Sequence, residues 1–240
     1  MAVRKGEYLL MINILLAIAV LPAVLLIYYV YTKDKVEKEP IGLLISLVIW
    51  GALIVFPAAI LEKLGSRALS YFAAGGTAKY NLFYCFLIIG CVEEGGKYLV
   101  MKYRIWNSPE FNFRFDAIVY AVSIGLGFAL FENILYVFQG GFTTGLVRAV
   151  TAIPAHAINA VFMGYYFGQA KLCEFYGEKS REKTDLAFGF FVPVFLHGFY
   201  DFCAMEGTIF FTVAFMVFVV FMDILAVTRI NKSSREDMEV

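Results

Sequence analysis

The chain has 240 residues, of which 61% are hydrophobic and 18% aromatic while only 17% are charged. That balance excludes an ordinary soluble domain and indicates a polytopic membrane protein, with 25 Phe and 15 Tyr suited to lipid-facing and interfacial positions. The 20 Lys and Arg balance the 20 Asp and Glu, so there is no basic footprint and no nucleic-acid partner is expected.

In chain order, the apolar runs are Tyr8–Tyr31, Ile41–Leu61, Tyr80–Met101, Phe115–Phe138, Thr144–Ala170, Leu186–Cys203 and Thr208–Thr228. Each has about the length that a spanning helix needs, and only helices and closed barrels satisfy their backbone polar groups in lipid. The expected fold is an all-α membrane protein, a polytopic bundle of about seven transmembrane helices. It forms one integral membrane domain over residues 1–240, with a core at 80–203 and a cytoplasmic tail at 229–240. Arg4 and Lys5 precede the first run as in a secretory signal. That run exceeds a signal core in length and lacks a small-x-small cleavage site before Lys33, so it reads as the first span.

The connections are short and polar: Thr32–Pro40, Glu62–Lys79, Lys102–Arg114, Gln139–Phe142, Lys171–Asp185 and Met205–Gly207. Thirteen Lys and Arg fall in the first, third and fifth of these and the tail, against five on the other side. The N-terminus is therefore expected outside and the C-terminus in the cytoplasm of a multi-pass cell-membrane protein. Glu62–Lys79 reads as a short amphipathic helix on the outer interface, and Lys171–Asp185 as a solvated loop. Cys85, Cys91, Cys173 and Cys203 have no CxxC or ladder spacing and three lie within apolar runs, which predicts small buried hydrophobes for most of them and no disulfide framework.

The third run contains Cys91-Val-Glu93-Glu94-Gly-Gly-Lys97-Tyr98, three charges within five positions. A charge at bilayer depth costs ~2.5–3.5 kcal/mol, so such residues are functional candidates by default. Glu132 and Asn133 lie in the fourth run, His156 and Asn159 in the fifth, and His197 and Asp201 in the sixth; both histidines of the chain are thus within spans. Glu93 and Lys97 are i,i+4, Glu94 and Lys97 are i,i+3, and His197 and Asp201 are i,i+4, so each pair shares a helix face. One glutamate is expected to be held by Lys97 while its neighbour, ~100° around the helix, faces a cavity; the sequence does not distinguish them. Two chemistries follow. Either a buried Glu93 or Glu94 acts as general base towards water with His156 and His197 donating to an oxyanion, or Glu132, His156 and His197 ligate a zinc ion. Both give hydrolysis within the membrane, with Lys97, Asn133, Asn159 and Asp201 in support.

The plainer readings are structural. Glu93, Glu94 and Lys97 would be a charge cluster locking helix packing, Asn133 and Asn159 interhelical hydrogen bonders, and Gly95-Gly96 and Gly125-Leu-Gly127 close helix contacts rather than phosphate loops. Arg148 would snorkel from the outer end of its span.

Glu93-Glu94-x-x-Lys97-Tyr98, Gly125-Leu-Gly-Phe128-Ala-x-x-Glu132-Asn133-x-x-Tyr136, His156-Ala and His197-Gly-x-Tyr200-Asp201 together resemble the four motifs of the PrsW intramembrane proteases, in the same order and one per span. The resemblance implies a peptidase that makes the site-1 cut in a single-pass membrane protein such as an anti-sigma factor. That family is in turn similar to the CAAX prenyl endopeptidases and to the scaffold subunit of gamma-secretase. Against the endopeptidase motifs EExxxR, FxxxH and HxxxN, Lys97 stands one place early, Glu132 stands where a histidine would be, and Asn159 is third rather than fourth after His156. Those departures favour the PrsW pattern. The rival expectations are a prenyl endopeptidase, a proton-coupled transporter and a non-catalytic scaffold.

Overall fold

A computed structural model describes residues 2–240, with backbone alone for residues 2–6 and 8. The helices are α1 (Ala2–Lys33), α2 (Ile41–Leu69), α3 (Ala78–Phe83), α4 (Cys91–Val100), α5 (Asp116–Val150), α6 (Ala152–Phe175), α7 (Lys179–Glu206) and α8 (Ile209–Arg235). Among the described residues there is no strand, only an isolated bridge between Phe113 and Glu239. Two π-helical turns, Tyr84–Gly90 and Met101–Ile105, join α3 to α4 and continue it, so 78–105 is one helical rod. Such turns insert a residue and re-aim the side chains after them, and the first immediately precedes Glu93 and Glu94.

Five stretches among the described residues are long and apolar enough to cross a membrane: Leu9–Lys33, Ile41–Leu69, Asp116–Phe175, Lys179–Glu206 and Ile209–Arg235. The all-helical architecture is as expected, and five stretches meet this standard of length and apolarity where about seven spans were expected. The third expected span is interrupted by its π turns, and the fourth and fifth run together through a stretch of 60 residues. At ~1.5 Å per residue a straight rod of that length would be roughly three times the hydrocarbon thickness. It folds back instead at Gly141 (φ 75°, ψ −162°), after which the chain runs antiparallel to the first half of α5, with a break in the returning helix at Thr151 (φ −124°, ψ −67°). Pro154 falls in the first turn of α6, where its missing N–H costs nothing.

Two expected loops are helix. Nothing in Leu61–Leu69 breaks a helix, so α2 runs on to Leu69 where a separate interfacial helix was expected. Likewise α6 reaches Phe175 and α7 starts at Lys179, which shrinks the Lys171–Asp185 connection to residues 176–178.

The first half of α5 is the hub. Every residue from Asp116 to Ala129 is buried, as expected of a helix apolar all round, and it packs against α1, α2 and α6. The outer faces of the peripheral helices carry exposed Leu25, Ile45, Phe191 and Phe221, the inverse of a soluble surface. Close approach to the hub depends on Gly127, where an added Cβ would lie 2.2 Å from the Val48 carbonyl oxygen of α2. Gly95 and Gly96 differ from the sequence expectation: a Cβ there would meet only Phe190 at 3.6 Å or Ile54 at 3.4 Å, ordinary contact distances. Gly127→Val is expected to destabilise the bundle by about 1–3 kcal/mol through overpacking. Thermal unfolding in detergent checks this, and an unchanged Tm would mean that α2 and α5 are not held at this spacing.

Candidate active site

Four helices converge on one buried group. From α4, Lys97 Nζ lies 2.8 Å from Glu94 Oε1 and 3.6 Å from Glu93 Oε2, so the two spacings read from sequence are both realised. The ammonium also sits 4.3 Å from the centre of the Phe128 ring of α5. From α7, His197 Nδ1 lies 2.7 Å from Glu94 Oε1, while its Nε2 lies 3.3 Å from Asp201 Oδ2 and 3.7 Å from Glu93 Oε2. Both ring nitrogens thus face carboxylates, an arrangement that an imidazolium, a donor on each side, satisfies.

His156 of α6 closes the group. Lys97 Nζ, which has no acceptor to offer, donates to His156 Nδ1 at 3.1 Å, so the ring proton is on Nε2 and is donated to Glu132 Oε2 at 3.1 Å. The two imidazoles meet edge to face with centroids 5.3 Å apart. Asn159 Nδ2 adds a donor to Glu94 Oε1 at 3.4 Å.

The two glutamates are thereby distinguished. Glu94 Oε1 accepts from Lys97, His197 and Asn159, and its side chain is fully buried. Glu93 Oε2 makes no hydrogen bond and belongs to a residue that lines a cavity of about 300 Å³. Glu132, His156, Asn159, His197 and Asp201 line the same cavity.

Arg148 was expected to snorkel; instead its Nη2 lies 2.6 Å from Glu132 Oε2 and its Nε donates to Asn133 Oδ1 at 2.9 Å. Glu132 and Arg148 are 16 residues apart, about 24 Å along a straight helix, so their contact depends on the fold-back at Gly141. Asn133 itself donates to the Ala19 carbonyl of α1 at 3.3 Å, an interhelical bond as its plainer reading had it. Glu62, read as the start of a loop, also lines the cavity because α2 continues past Leu61. The signal for Arg148 was its sign: a lone cation in an apolar run calls for an anionic partner in another.

The residues able to converge on a metal ion are Glu93, Glu94, His156 and His197, each offering a donor atom within 4.8 Å of the others. Glu132, expected in that role with the two histidines, is engaged by Arg148 and His156 outside this set. The donors suit zinc in type, and Glu93 Oε2 and Glu94 Oε2 are both buried and without a hydrogen-bond partner.

Buried ionisable side chains around a cavity, within helices whose outer faces are apolar, define a membrane-embedded enzyme. A family signature described as PrsW family intramembrane metalloprotease matches residues 39–227. The chain is 36% identical to the protease PrsW of Oceanobacillus iheyensis, over 92% of this chain and 96% of that protein. It is 33% identical to the protease PrsW of Bacillus subtilis, over 85% and 90%, and 30% identical to that of Clostridioides difficile, over 94% of each. No solved structure matches significantly. The chain belongs to the PrsW family of intramembrane proteases: it is a peptidase and a multi-pass membrane protein.

Proposed function

We propose that this peptidase makes a site-1-type cut in a single-pass membrane substrate such as an anti-sigma factor, by attack of a water activated at Glu93. The observation that carries this is the Glu93 carboxylate, which is buried, lines the cavity and presents an oxygen with no hydrogen-bond partner. Glu93 takes the proton of the attacking water and returns it to the leaving amine. Glu94, fixed by three donors, anchors Lys97 and His197. His197, aligned by Asp201, donates to the carbonyl oxygen as it becomes anionic. His156 relays between Lys97 and Glu132, which Arg148 holds in place.

Of the set that fits a metal, Glu94, His156 and His197 would hold a zinc-type ion and leave Glu93 on the cavity side; both imidazoles would then be neutral ligands, His156 giving up its bond from Lys97 and His197 its role as oxyanion donor. Such an ion, when bound, supplies a more acidic water and polarises the scissile carbonyl. In the cell membrane the chain crosses seven times, the 78–105 rod being the third crossing and the 60-residue stretch the fourth and fifth. The Lys and Arg distribution supports an external N-terminus and a cytoplasmic C-terminus.

The test is cleavage of a single-pass anti-sigma-type protein in proteoliposomes by the intact chain and by Glu93→Gln/Glu94→Gln, each with and without a zinc chelator. Loss of cleavage in a variant that still melts as a folded protein supports the proposal; loss in chelator as well assigns a metal. A variant that cuts as well as the parent refutes it. Asp201→Asn, which weakens the orientation of His197, is expected to slow cleavage by about 10–100-fold with an unchanged Tm. A rate within twofold of the parent would remove Asp201 from the machinery.

A further inference from the structure

We propose a second site, for a hard divalent cation of the calcium or magnesium class, formed by Asp34, Glu39 and Asp116. Each offers a carboxylate oxygen within 4.8 Å of the others, and all three are buried. They come from separate stretches: Asp34 follows α1, Glu39 precedes α2, and Asp116 opens α5.

Three of the six carboxylate oxygens are buried without a hydrogen-bond partner. Asp34 is 1% exposed, and both of its carboxylate oxygens are buried without a hydrogen-bond partner. Asp116 Oδ2 accepts from the backbone N–H groups of Asn112 at 3.2 Å and Phe113 at 2.7 Å, yet its Oδ1 has no partner. Glu39 receives the hydroxyl of Tyr120. No ion pair among the described residues includes Asp34, Glu39 or Asp116. The nearby cations are spent on backbone carbonyls: Lys38 Nζ on those of Tyr31 and Asp34, and Arg114 Nη2 on that of Glu236 at 2.6 Å.

Among the described residues Lys38 is the one cation close to Asp34 and forms no ion pair with it, so three buried carboxylates share too little positive charge, and one cation would satisfy all three. A donor set of oxygens alone, with no imidazole or thiolate, selects a hard cation over zinc. The site is distinct from the peptidase centre, since Asp116 lies about 24 Å along α5 from Glu132 and no residue is shared.

The C-terminal tail closes over this end. Val240 N–H donates to the Asn112 carbonyl at 2.9 Å, and Asp237 Oδ1 accepts from Phe115 N–H at 2.8 Å. Asp237 Oδ2 is a further buried oxygen without a partner. A bound cation would therefore tie the α1–α2 connection to the start of α5 beneath the tail.

The test is thermal unfolding of the purified full chain in detergent, stripped with chelator and then given calcium or magnesium. At 100-fold excess over Kd, the intact chain and Glu93→Gln/Glu94→Gln are expected to gain about 5–10 °C in Tm with one of the two cations, which identifies it. Asp34→Asn/Asp116→Asn should lose that gain yet melt no lower than the intact chain in chelator, because the amides remove the repulsion. If the double variant does not fold, Asp34→Asn alone, whose carboxylate has no hydrogen bond to lose, gives the same comparison. A flat response of the intact chain to both cations, or an undiminished gain in the Asp34 variants, would overturn the site.

Discussion

Glu93→Gln is expected to lower peptide-bond cleavage by at least about 10²–10⁴-fold, the contribution of a positioned general base, while leaving the protein folded. The amide is isosteric but cannot take a proton from water. Folding survives because Glu93 Oε2 makes no hydrogen bond and its approaches to Lys97 and His197 are long, at 3.6 and 3.7 Å. Glu94→Gln is the control with the opposite signature. It removes the charge that holds Lys97 at 2.8 Å and His197 at 2.7 Å, so Tm falls together with activity. Steady-state cleavage and thermal unfolding of the two single variants separate the roles; equal loss of Tm in both would assign both glutamates to structure.

The largest effect on stability is expected from Lys97→Met. Lys97 is 1% exposed and bridges Glu93, Glu94 and His156. Methionine fills a similar volume and removes the ammonium, leaving two carboxylates buried together. Breaking a buried pair from one side costs about 3–5 kcal/mol. The measurable result is a sharp loss of folded yield and Tm, partly restored when Glu94→Gln removes the uncompensated charge in the same chain. An unaltered Tm for Lys97→Met would contradict the electrostatic account of the cluster.

The residues that form the centre were legible in sequence because lipid makes charge conspicuous. Glu93, Glu94, Glu132, His156 and His197 stand out in apolar runs, and the i,i+3 and i,i+4 spacings of Lys97 and Asp201 predicted contacts that the structure contains. What stayed hidden depends on the path of the backbone. The bond between Arg148 and Glu132 requires the reversal at Gly141, and a glycine in an apolar run announces neither a turn nor its direction. The π turn at Tyr84–Gly90 has no compositional mark, although it sets the face on which Glu93 and Glu94 emerge. Gly127 and Gly95 look alike in sequence, yet only the first meets a neighbouring backbone. The division of labour between Glu93 and Glu94 likewise depends on which side chain His197 and Asn159 reach, a tertiary fact.

The central claim, that the buried group at the Glu93 cavity hydrolyses a peptide bond of a membrane substrate, is tested most directly by isotope incorporation. Proteoliposomes holding the purified chain and a single-pass substrate tagged at both ends are incubated in ¹⁸O-labelled water, and the fragments are read by mass spectrometry. The account predicts one discrete cut, with label in the new C-terminal carboxylate, for the intact chain and no labelled fragment for Glu93→Gln. Labelled product in equal amount from Glu93→Gln, or an intact substrate with the parent chain, would contradict it.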